Sequence, residues 1–263
     1  MFETRLQTAD LFDWHDEMQN LHQRALGQPS AMVDCSRRQK WGAMSTSRTG
    51  GPPTKPVSDD EIRSLLDRYR CPMPFHVVRT RFLGNIASPD MTASPMDTVA
   101  GLWGGELPAI DNPDALNELL RVVLMGLWNR LAEHQNRNAP FRMIRVDVPE
   151  TREGLANIAA IRREEVIGFI EGMFGKEQGL ALPERARRAL EALAEAGGLL
   201  RGVFEVACDP TKPASADDIA QTRRHISELT EICEREIHAA LLSCTRARPR
   251  MPNSVSATKP TLH

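Results

Sequence analysis

The clearest apolar repeat in the chain follows Asn112-Pro113, and it limits the possible folds more than any other feature. Asn112 can cap the free amides at a helix start, and proline fits the first helical position. The apolar residues that follow recur every three or four positions, which is the period of one helix face. They are Leu116, Leu119, Leu120, Val123, Leu127, Trp128 and Leu131. This pattern predicts a long amphipathic helix that ends near residues 133–138.

The composition extends this helical interpretation to the whole chain. Aromatic residues make up 5% of the 263 residues and Tyr69 is the only tyrosine, whereas leucine, alanine, glutamate and arginine are abundant. Strands favour aromatic and β-branched residues, and helices favour the residues that are abundant here. We therefore predict an all-α fold, a compact bundle of about six or seven helices.

Capping and helix-breaking residues place two helices before the long one. Ser58 and Glu61 have the spacing of a capping box, in which each side chain bonds the backbone amide of the other residue. A helix is therefore predicted to begin at Ser58 and to end before Pro72. A second helix is predicted over residues 75–86, and Pro89 prevents it from continuing.

Two segments lack a helical repeat. Residues 90–108 are predicted to form short turns. Residues 141–150 alternate between apolar and polar side chains, so they could form a short strand. Because no second strand is apparent for pairing, an extended connector is the preferred interpretation.

The C-terminal half is predicted to contain four more helices. Their ranges are 155–174, 183–196, 199–206 and 215–242. Gly197-Gly198 separates the second from the third, because glycine disfavours a helix interior. Ser215 caps the last helix, and Asp217 with Asp218 suits its positive N-terminal end.

The two ends of the chain have a different character. Residues 1–26 contain a weak amphipathic repeat made by Leu6, Leu11, Trp14, Met18 and Leu21. The following residues, up to 56, are rich in Ser, Gly, Pro and basic side chains, which predicts a linker. We therefore predict three parts: a mobile extension over 1–57, a helical domain over 58–242, and a disordered basic tail over 243–263.

Charge is distributed unevenly along the chain. Residues 1–57 carry +1, residues 242–263 carry +4, and the whole chain carries −2, so the middle carries −7. Nucleic-acid grooves need a concentrated positive face, so the acidic body is not expected to bind nucleic acid. The tail, with Arg246, Arg248, Arg250 and Lys259, could still contact RNA.

Cysteine usage and hydropathy predict a cytoplasmic location. The five cysteines are widely spaced and form no Cys-x-x-Cys pair, which favours reduced thiols over disulfides or a zinc site. Asp10, Asp13, Asp16 and Glu17 stand where a secretory signal would have its apolar core. The sequence also lacks a run of about 18 apolar residues, so no membrane span is expected.

Sequence motifs for catalysis or cofactor binding are missing. There is no Gly-x-Ser-x-Gly elbow, and the Gly101 to Gly105 segment lacks the Lys-Ser/Thr of a phosphate loop. We therefore predict no catalytic residues, no cofactor-binding residues and no cofactor. The glycines of this segment are instead expected to form a turn with positive φ, with Trp103 packed in the core.

Two groups of side chains have residue types suited to metal binding or acid–base chemistry. Glu234 and His238 lie four residues apart on a predicted helix and could share a cation, but a solvated face is the preferred interpretation. Glu164, Glu165 and Glu171 cluster on another predicted helix. Neighbouring arginines favour a charged outer face there, so no metal site is predicted.

Three segments resemble a known family. They are Phe82-Leu83-Gly84-Asn85-Ile86-Ala87-Ser88-Pro89, Gly101-Leu102-Trp103-Gly104-Gly105-Glu106-Leu107-Pro108 and Val166-Ile167-Gly168-Phe169-Ile170-Glu171-Gly172. With the long helix between them, they resemble the YecA/YgfB-like bacterial family of uncharacterised helical proteins over roughly residues 58–242. Ser88 departs from the glycine usual before the turn proline, and the family's turn tryptophan is replaced near Met96.

The resemblance implies a helical fold and no defined reaction. Some relatives end in a cysteine-rich zinc module like the tail of SecA, and this sequence lacks that pattern, so the resemblance implies no zinc site here. We predict an interaction surface at the turn and beside the family's asparagine. Its residues are Trp103, Gly104, Gly105, Glu106 and Asn129.

These observations predict a non-enzymatic protein–protein interaction or regulatory protein, with another protein as its partner. The alternative is a metal-binding or nucleic-acid-associated factor that uses His and Glu side chains or the basic tail. An enzyme of unfamiliar type is a third class, and it would need a deep polar pocket with converging titratable groups.

Overall fold

The computed structural model describes residues 57–90, 94–110, 112–175 and 180–248. Within these ranges the protein contains seven helices and no strand, so the all-α prediction is confirmed. The helices are α1 (Asp59–Arg68), α2 (Phe75–Ala87), α3 (Pro95–Gly101), α4 (starting with Pro113–Leu120), α5 (Arg152–Phe174), α6 (Glu184–Cys208) and α7 (Ala216–Ala247). The predicted N-terminal helix, the linker and most of the basic tail lie outside the described residues.

Helix α4 begins as predicted and changes its hydrogen bonding part-way. Asn112 accepts a hydrogen bond from the amide of Asp114 at 2.8 Å. After Pro113–Leu120, the chain is π-helical over Arg121–Trp128. It then returns to α-helix over Asn129–Ala132 and ends in a 3₁₀ turn, Glu133–Gln135. The predicted end of this helix is confirmed.

Two predicted caps are present, and one is only half formed. The Ser58 side chain accepts a hydrogen bond from the amide of Glu61 at 3.2 Å. The Glu61 carboxylate does not return the bond, because it pairs with Arg121 at 2.9 Å. At the start of α7, Ser215 and Asp218 form a complete capping box, which satisfies amides that a helix start leaves free.

The predicted break at Gly197-Gly198 is wrong, because α6 continues through both residues. Ala196 and Gly197 are buried, and α6 packs against both α5 and α7. Each interior glycine costs about 1 kcal/mol relative to alanine, and burial along a long two-sided interface offsets that cost. Tertiary packing therefore overrides the local preference.

The prediction of turns over residues 90–108 is also wrong in part. Ser94 caps α3 by accepting a hydrogen bond from the amide of Met96 at 3.2 Å, and Pro95 occupies the first helical turn. Val99 and Leu102 are fully buried, so this short helix closes one side of the main core.

Helix α7 extends beyond its predicted end at Leu242 and reaches Ala247. Cys244 is fully buried, which ties this last turn to the core. Arg248 then donates hydrogen bonds to the backbone carbonyls of Ile86 and Ser88. These carbonyls lie at the end of α2, where arginine is well placed to satisfy free acceptors. The first part of the predicted basic tail is thus part of the fold.

The apolar interior has two parts. The larger cluster contains residues from each of the helices α1, α2, α3, α4 and α5, together with parts of α6 and α7. The smaller cluster lies where α5 begins, α6 ends and α7 begins, and it contains Leu155, Ala159, Leu200 and Ile226. None of the helices within the described ranges combines the length and apolar character that crossing a bilayer requires.

Candidate functional site

The predicted interaction surface begins at the turn after α3. Gly104 and Gly105 have φ angles of 83° and 110°, which favour glycine in a tight turn. Trp103 packs against the main core, and its Nε1 donates to the carbonyl of Tyr69 at 2.9 Å. The turn therefore fixes Trp103 to the end of α1 and leaves Gly104, Gly105 and Glu106 exposed.

Asn129 is the other member of the predicted surface, and it lies on the exposed side of α4. Its Nδ2 donates to the carbonyl of Met125 at 3.1 Å, within the same helix. Met125 itself is 69% exposed. Trp103 and Asn129 are thus held by different contacts, and their use by one partner stays a prediction.

The predicted solvated face of α5 is wrong for Arg162 and Glu165. The side chain of Glu165 is 0% exposed and that of Arg162 is 7% exposed, and their charged groups lie 2.5 Å apart. They are buried because the connector, residues 141–150, runs beside them. Glu164 and Glu171 keep partly exposed side chains.

The buried pair holds the backbone of the connector. The amide of Ile144 donates to Glu165 at 3.0 Å, and Arg162 donates to the carbonyl of Ile144 at 2.8 Å. Next to it, the amide of Met143 donates to Glu234 at 2.9 Å. These side chains replace the neighbouring strand that an extended segment would otherwise need. The interpretation of this segment as an extended connector is therefore confirmed.

The chemistry of Glu165 follows from this position. Burial raises the pKa of its carboxyl group, and the positive charge of Arg162 opposes the rise. One carboxylate oxygen accepts from Ile144 and the other from Arg162. Both oxygens are engaged by the fold, so we assign Glu165 a structural role.

Glu234 has a similar structural role. Its carboxylate is therefore not available to bind a cation together with His238. One of its oxygens accepts from Met143, and the other lies 2.5 Å from Arg142. Burial lowers the pKa of the His238 imidazole. Among the residues that the structure describes, no group of three or more His, Cys, Asp or Glu side chains could hold a metal ion.

Three of the cysteines have thiols that burial makes less reactive. Burial raises the pKa of Cys233 to about 12 and that of Cys244 to about 11, and it also raises the pKa of Cys71. A thiol with a raised pKa contains little thiolate, which is the reactive form. Cys208 differs because it is exposed, at the end of α6.

A groove that the sequence did not predict lies between the C-terminal half of α6 and the first turns of α7. Its volume is about 690 Å³. On the α6 side, Leu199 and Val206 are 60% and 49% exposed, which is unusual for large apolar side chains. We call this site the α6–α7 groove. Its apolar lining includes Leu199, Gly202, Val203, Val206, Ala207 and Ile219.

Glycine opens the floor of this groove. A Cβ atom added to Gly202 would meet no heavy atom within 4 Å, and Gly198 lines the groove one turn earlier. The backbone of α6 is therefore accessible between the two exposed side chains. Leu200 and Ile226 of the smaller core cluster lie buried among the same helices, which gives the groove a packed foundation.

Polar groups surround one end of the groove. Arg152 donates to the carbonyl of Val206 at 3.1 Å and also to the carbonyl of Asp209. These bonds satisfy acceptors at the C-terminal end of α6, where a cation is also favoured by the helix dipole. Lys212 lies 3.9 Å from the carboxylate of Asp209. Two cations, Arg152 and Lys212, and one acidic residue, Asp218, thus stand among the groove residues.

One sequence signal could have revealed the groove. Leu199, Val203 and Val206 are four and three positions apart, which places them on one helix face, and Gly202 stands between them. The predicted break at Gly197 hides this signal, because it assigns these residues to a short separate helix. Their exposure depends on how α6 meets α7, which the sequence pattern does not contain.

Comparisons of the chain with protein-family models, with curated proteins and with solved structures found no match. The YecA/YgfB-like resemblance therefore stays a proposal. The functional assignment rests on the geometry of the groove and of the residues around it.

Proposed function

We propose that this protein is a non-enzymatic interaction protein whose α6–α7 groove receives an amphipathic helix of another protein. The observation that carries this proposal is the exposure of Leu199 and Val206 along a groove with glycine in its floor. Clustered exposed apolar side chains are typical of binding surfaces. Amphipathic helices commonly bind in such grooves through residues that recur every three or four positions.

The groove also indicates the chemistry of the partner segment. Leu199 and Val206 are seven residues apart, which is about 10 Å along α6 or two helical turns. Two or three apolar side chains of a bound helix can therefore contact the groove. Arg152 and Lys212 outnumber Asp218 among the groove residues, which favours acidic residues beside that apolar face. The expected partner segment is an acidic amphipathic helix.

The positions of the charged groups support a binding role over the alternatives. Glu234 holds the connector through both of its oxygens, and Glu165 holds it through one oxygen while the other accepts from Arg162, so both serve the fold. Arg248, which the RNA-binding alternative would use, is bonded to Ile86 and Ser88. These contacts leave the groove as the surface best suited to a partner.

Two further sequence predictions stay proposals beside this one. Membership of the YecA/YgfB-like family rests on the sequence resemblance of the three segments alone. The turn at Trp103 and the exposed Asn129 remain a second proposed contact surface. Glu106 would be its charged member.

The proposal can be tested with a synthetic peptide. An acidic peptide of about 18 residues, with leucine at the a and d positions of each heptad, is long enough to form a helix when bound. Calorimetric titration into the full chain should give a dissociation constant on the order of 10 μM. A peptide of the same composition in scrambled order serves as the peptide control.

Two protein variants make the test specific to the groove. Leu199→Ser/Val206→Ser should weaken binding at least about tenfold, since it removes the exposed apolar contacts. Met125→Ser changes another exposed apolar residue, on α4, and should leave the affinity unchanged. Lack of binding by the wild-type chain, or equal binding by the groove variant, would overturn the proposal.

A further inference from the structure

We propose that a pocket between α2, α3 and the end of α5 binds a small aliphatic diamine in its ammonium form. The pocket has a volume of about 230 Å³, and its lining includes Asn85 of α2, Asp97 of α3 and Glu171 of α5. We call it the Asn85 pocket. The described residues that line it and those that line the α6–α7 groove are different, so this site does not depend on the proposed function.

The side chain of Asn85 is the feature that indicates a ligand. Asn85 is 9% exposed and its Oδ1 is buried, yet no protein group within the described ranges donates a hydrogen bond to that oxygen. Buried side-chain oxygens nearly always accept a hydrogen bond, so an exception at the wall of a pocket indicates a donor from outside the protein. The backbone beside it is fixed, because Gly84 lies where α2 and α5 meet most closely.

The charges of the Asn85 pocket favour a cation. Three of the described lining residues are acidic and one is basic, which leaves a net charge of −2. They are Asp90, Asp97, Glu171 and Arg81. Arg81 lies 3.0 Å from the carboxylate of Glu171, so its charge is balanced within the protein. The neighbouring segments add no net charge, because residues 91–93 are uncharged and residues 176–179 carry one charge of each sign.

The end of α5 adds to the negative potential. Residues 172–175 line the pocket and belong to the end of this 23-residue helix, where the backbone carbonyls carry a partial negative charge. The start of α3 carries the opposite partial charge, but Ser94 already accepts the amide of Met96, and Asp97 lies in the same turn. The pocket is therefore suited to a cation and not to an anion.

An organic diammonium ion fits these acceptors better than a metal ion. In the part of the chain that the structure describes, no three His, Cys, Asp or Glu side chains converge as metal ligands. An ammonium group has three donors and no acceptor, which suits the Oδ1 of Asn85. A second ammonium group, on a short alkyl chain, can reach the exposed carboxylates of Asp97 and Glu171. The pocket volume is several times the roughly 30 Å³ of one water molecule in the liquid, which leaves room for such a chain.

Titration with 1,4-diaminobutane at pH 7, followed by backbone and side-chain NMR of the full chain, tests this site. Both amino groups are ionised at this pH. We expect a dissociation constant on the order of 1 mM, with the largest shifts at Asn85, Thr98 and Gly172. The neutral analogue 1,4-butanediol has the same length and should cause no shifts at these residues.

Asn85→Leu tests the acceptor itself. Leucine has nearly the same shape and cannot accept a hydrogen bond. The variant should bind 1,4-diaminobutane at least about tenfold more weakly, because a hydrogen bond to a charged group is lost. Its urea midpoint should be unchanged or higher, since Oδ1 bonds no described protein group and its desolvation no longer opposes folding.

A second pair of variants tests the charge of the pocket without changing a buried residue. Asp97→Asn removes an exposed carboxylate of the pocket and should weaken binding about threefold. Glu228→Gln removes the same charge from an exposed position in the first half of α7, near the opposite end of α5. It should leave the affinity unchanged, because salt screens distant charges.

Three results would overturn the proposal. The first is no binding to wild type, or equal binding by wild type and Asn85→Leu. The second is an equal loss in Asp97→Asn and Glu228→Gln, which would show that only the net charge of the protein attracts the amine. The third is tighter binding of Nα-acetyl-lysine amide than of 1,4-diaminobutane, which would assign the pocket to a lysine side chain of a protein partner.

Discussion

Gly84 of α2 lies so close to Phe169 of α5 that a β-carbon on Gly84 would overlap the carbonyl oxygen of Phe169. The same added atom would lie 2.7 Å from the amide nitrogen of Met173. Gly172 repeats this relationship from the other side, where an added β-carbon would overlap the carbonyl of Arg81. The two helices therefore meet backbone to backbone, and this crossing aligns the main core.

Gly84→Ala should strongly destabilise the protein. The new methyl group has no space, so α2 and α5 must separate and lose packing around Phe82 and Phe169, both fully buried. We expect the free energy of unfolding to fall by about 3 kcal/mol or more. Urea denaturation followed by circular dichroism measures this change. An unchanged midpoint would show that the helices do not pack this closely.

Gly202→Ala is the matched substitution in open space, and it should stabilise the protein. Its β-carbon would meet no atom within 4 Å, and alanine is the better helix former. The expected gain in unfolding free energy is roughly 0.5–1 kcal/mol. The same urea titration measures it. A loss of stability would contradict the position of Gly202 in the groove floor.

Arg162→Met should destabilise the protein in a pH-dependent way. The change leaves the Glu165 carboxylate buried without its ion-pair partner, which costs about 3–5 kcal/mol when the carboxylate is ionised. Burial already raises the pKa of Glu165, and loss of the Arg162 charge raises it further. The folded variant then binds a proton more tightly than its unfolded chain does. Its deficit against wild type should shrink as pH falls and grow as pH rises through the raised pKa.

Urea titrations of wild type and Arg162→Met at pH 5 and pH 7.5 measure this difference. Adding Glu165→Gln to Arg162→Met should recover part of the loss at pH 7.5, because no buried charge remains. An equal deficit at both pH values would indicate that Arg162 acts through packing alone.

Arg248→Ala should test whether the fold includes the start of the basic tail. Arg248 bonds the carbonyls of Ile86 and Ser88, so its removal frees acceptors at the end of α2. We expect a loss of about 1 kcal/mol in unfolding free energy. Arg246→Ala, at an exposed position on α7, is the control and should have little effect. Equal effects of the two substitutions would contradict the capping role.

Local sequence signals predicted much of the fold. Asn112, Ser58 and Ser215 each cap a helix where the sequence places one, because capping depends on residues only a few positions apart. The turn glycines Gly104 and Gly105 also have the positive φ that was expected. These features need no knowledge of the tertiary structure.

Features that depend on tertiary contacts were missed. The local sequence at Gly197 predicts a helix break, but burial of Gly197 between helices keeps α6 continuous. The sequence predicts that Arg162 and Glu165 are solvent-exposed charges. They are buried because the connector packs over them, and its path cannot be predicted from the helix sequence. The groove beside Leu199 is also produced by the meeting of distant segments.

Backbone NMR spectra of the full chain, titrated with the acidic peptide, show whether the α6–α7 groove binds an amphipathic helix. We predict that the largest shifts of amide signals occur at residues 199–207, on the face of α6 that carries Leu199 and Val206, and that they are absent in Leu199→Ser/Val206→Ser. Shifts confined to the turn at Trp103 or to α4 around Asn129, or no shifts at all, would contradict it.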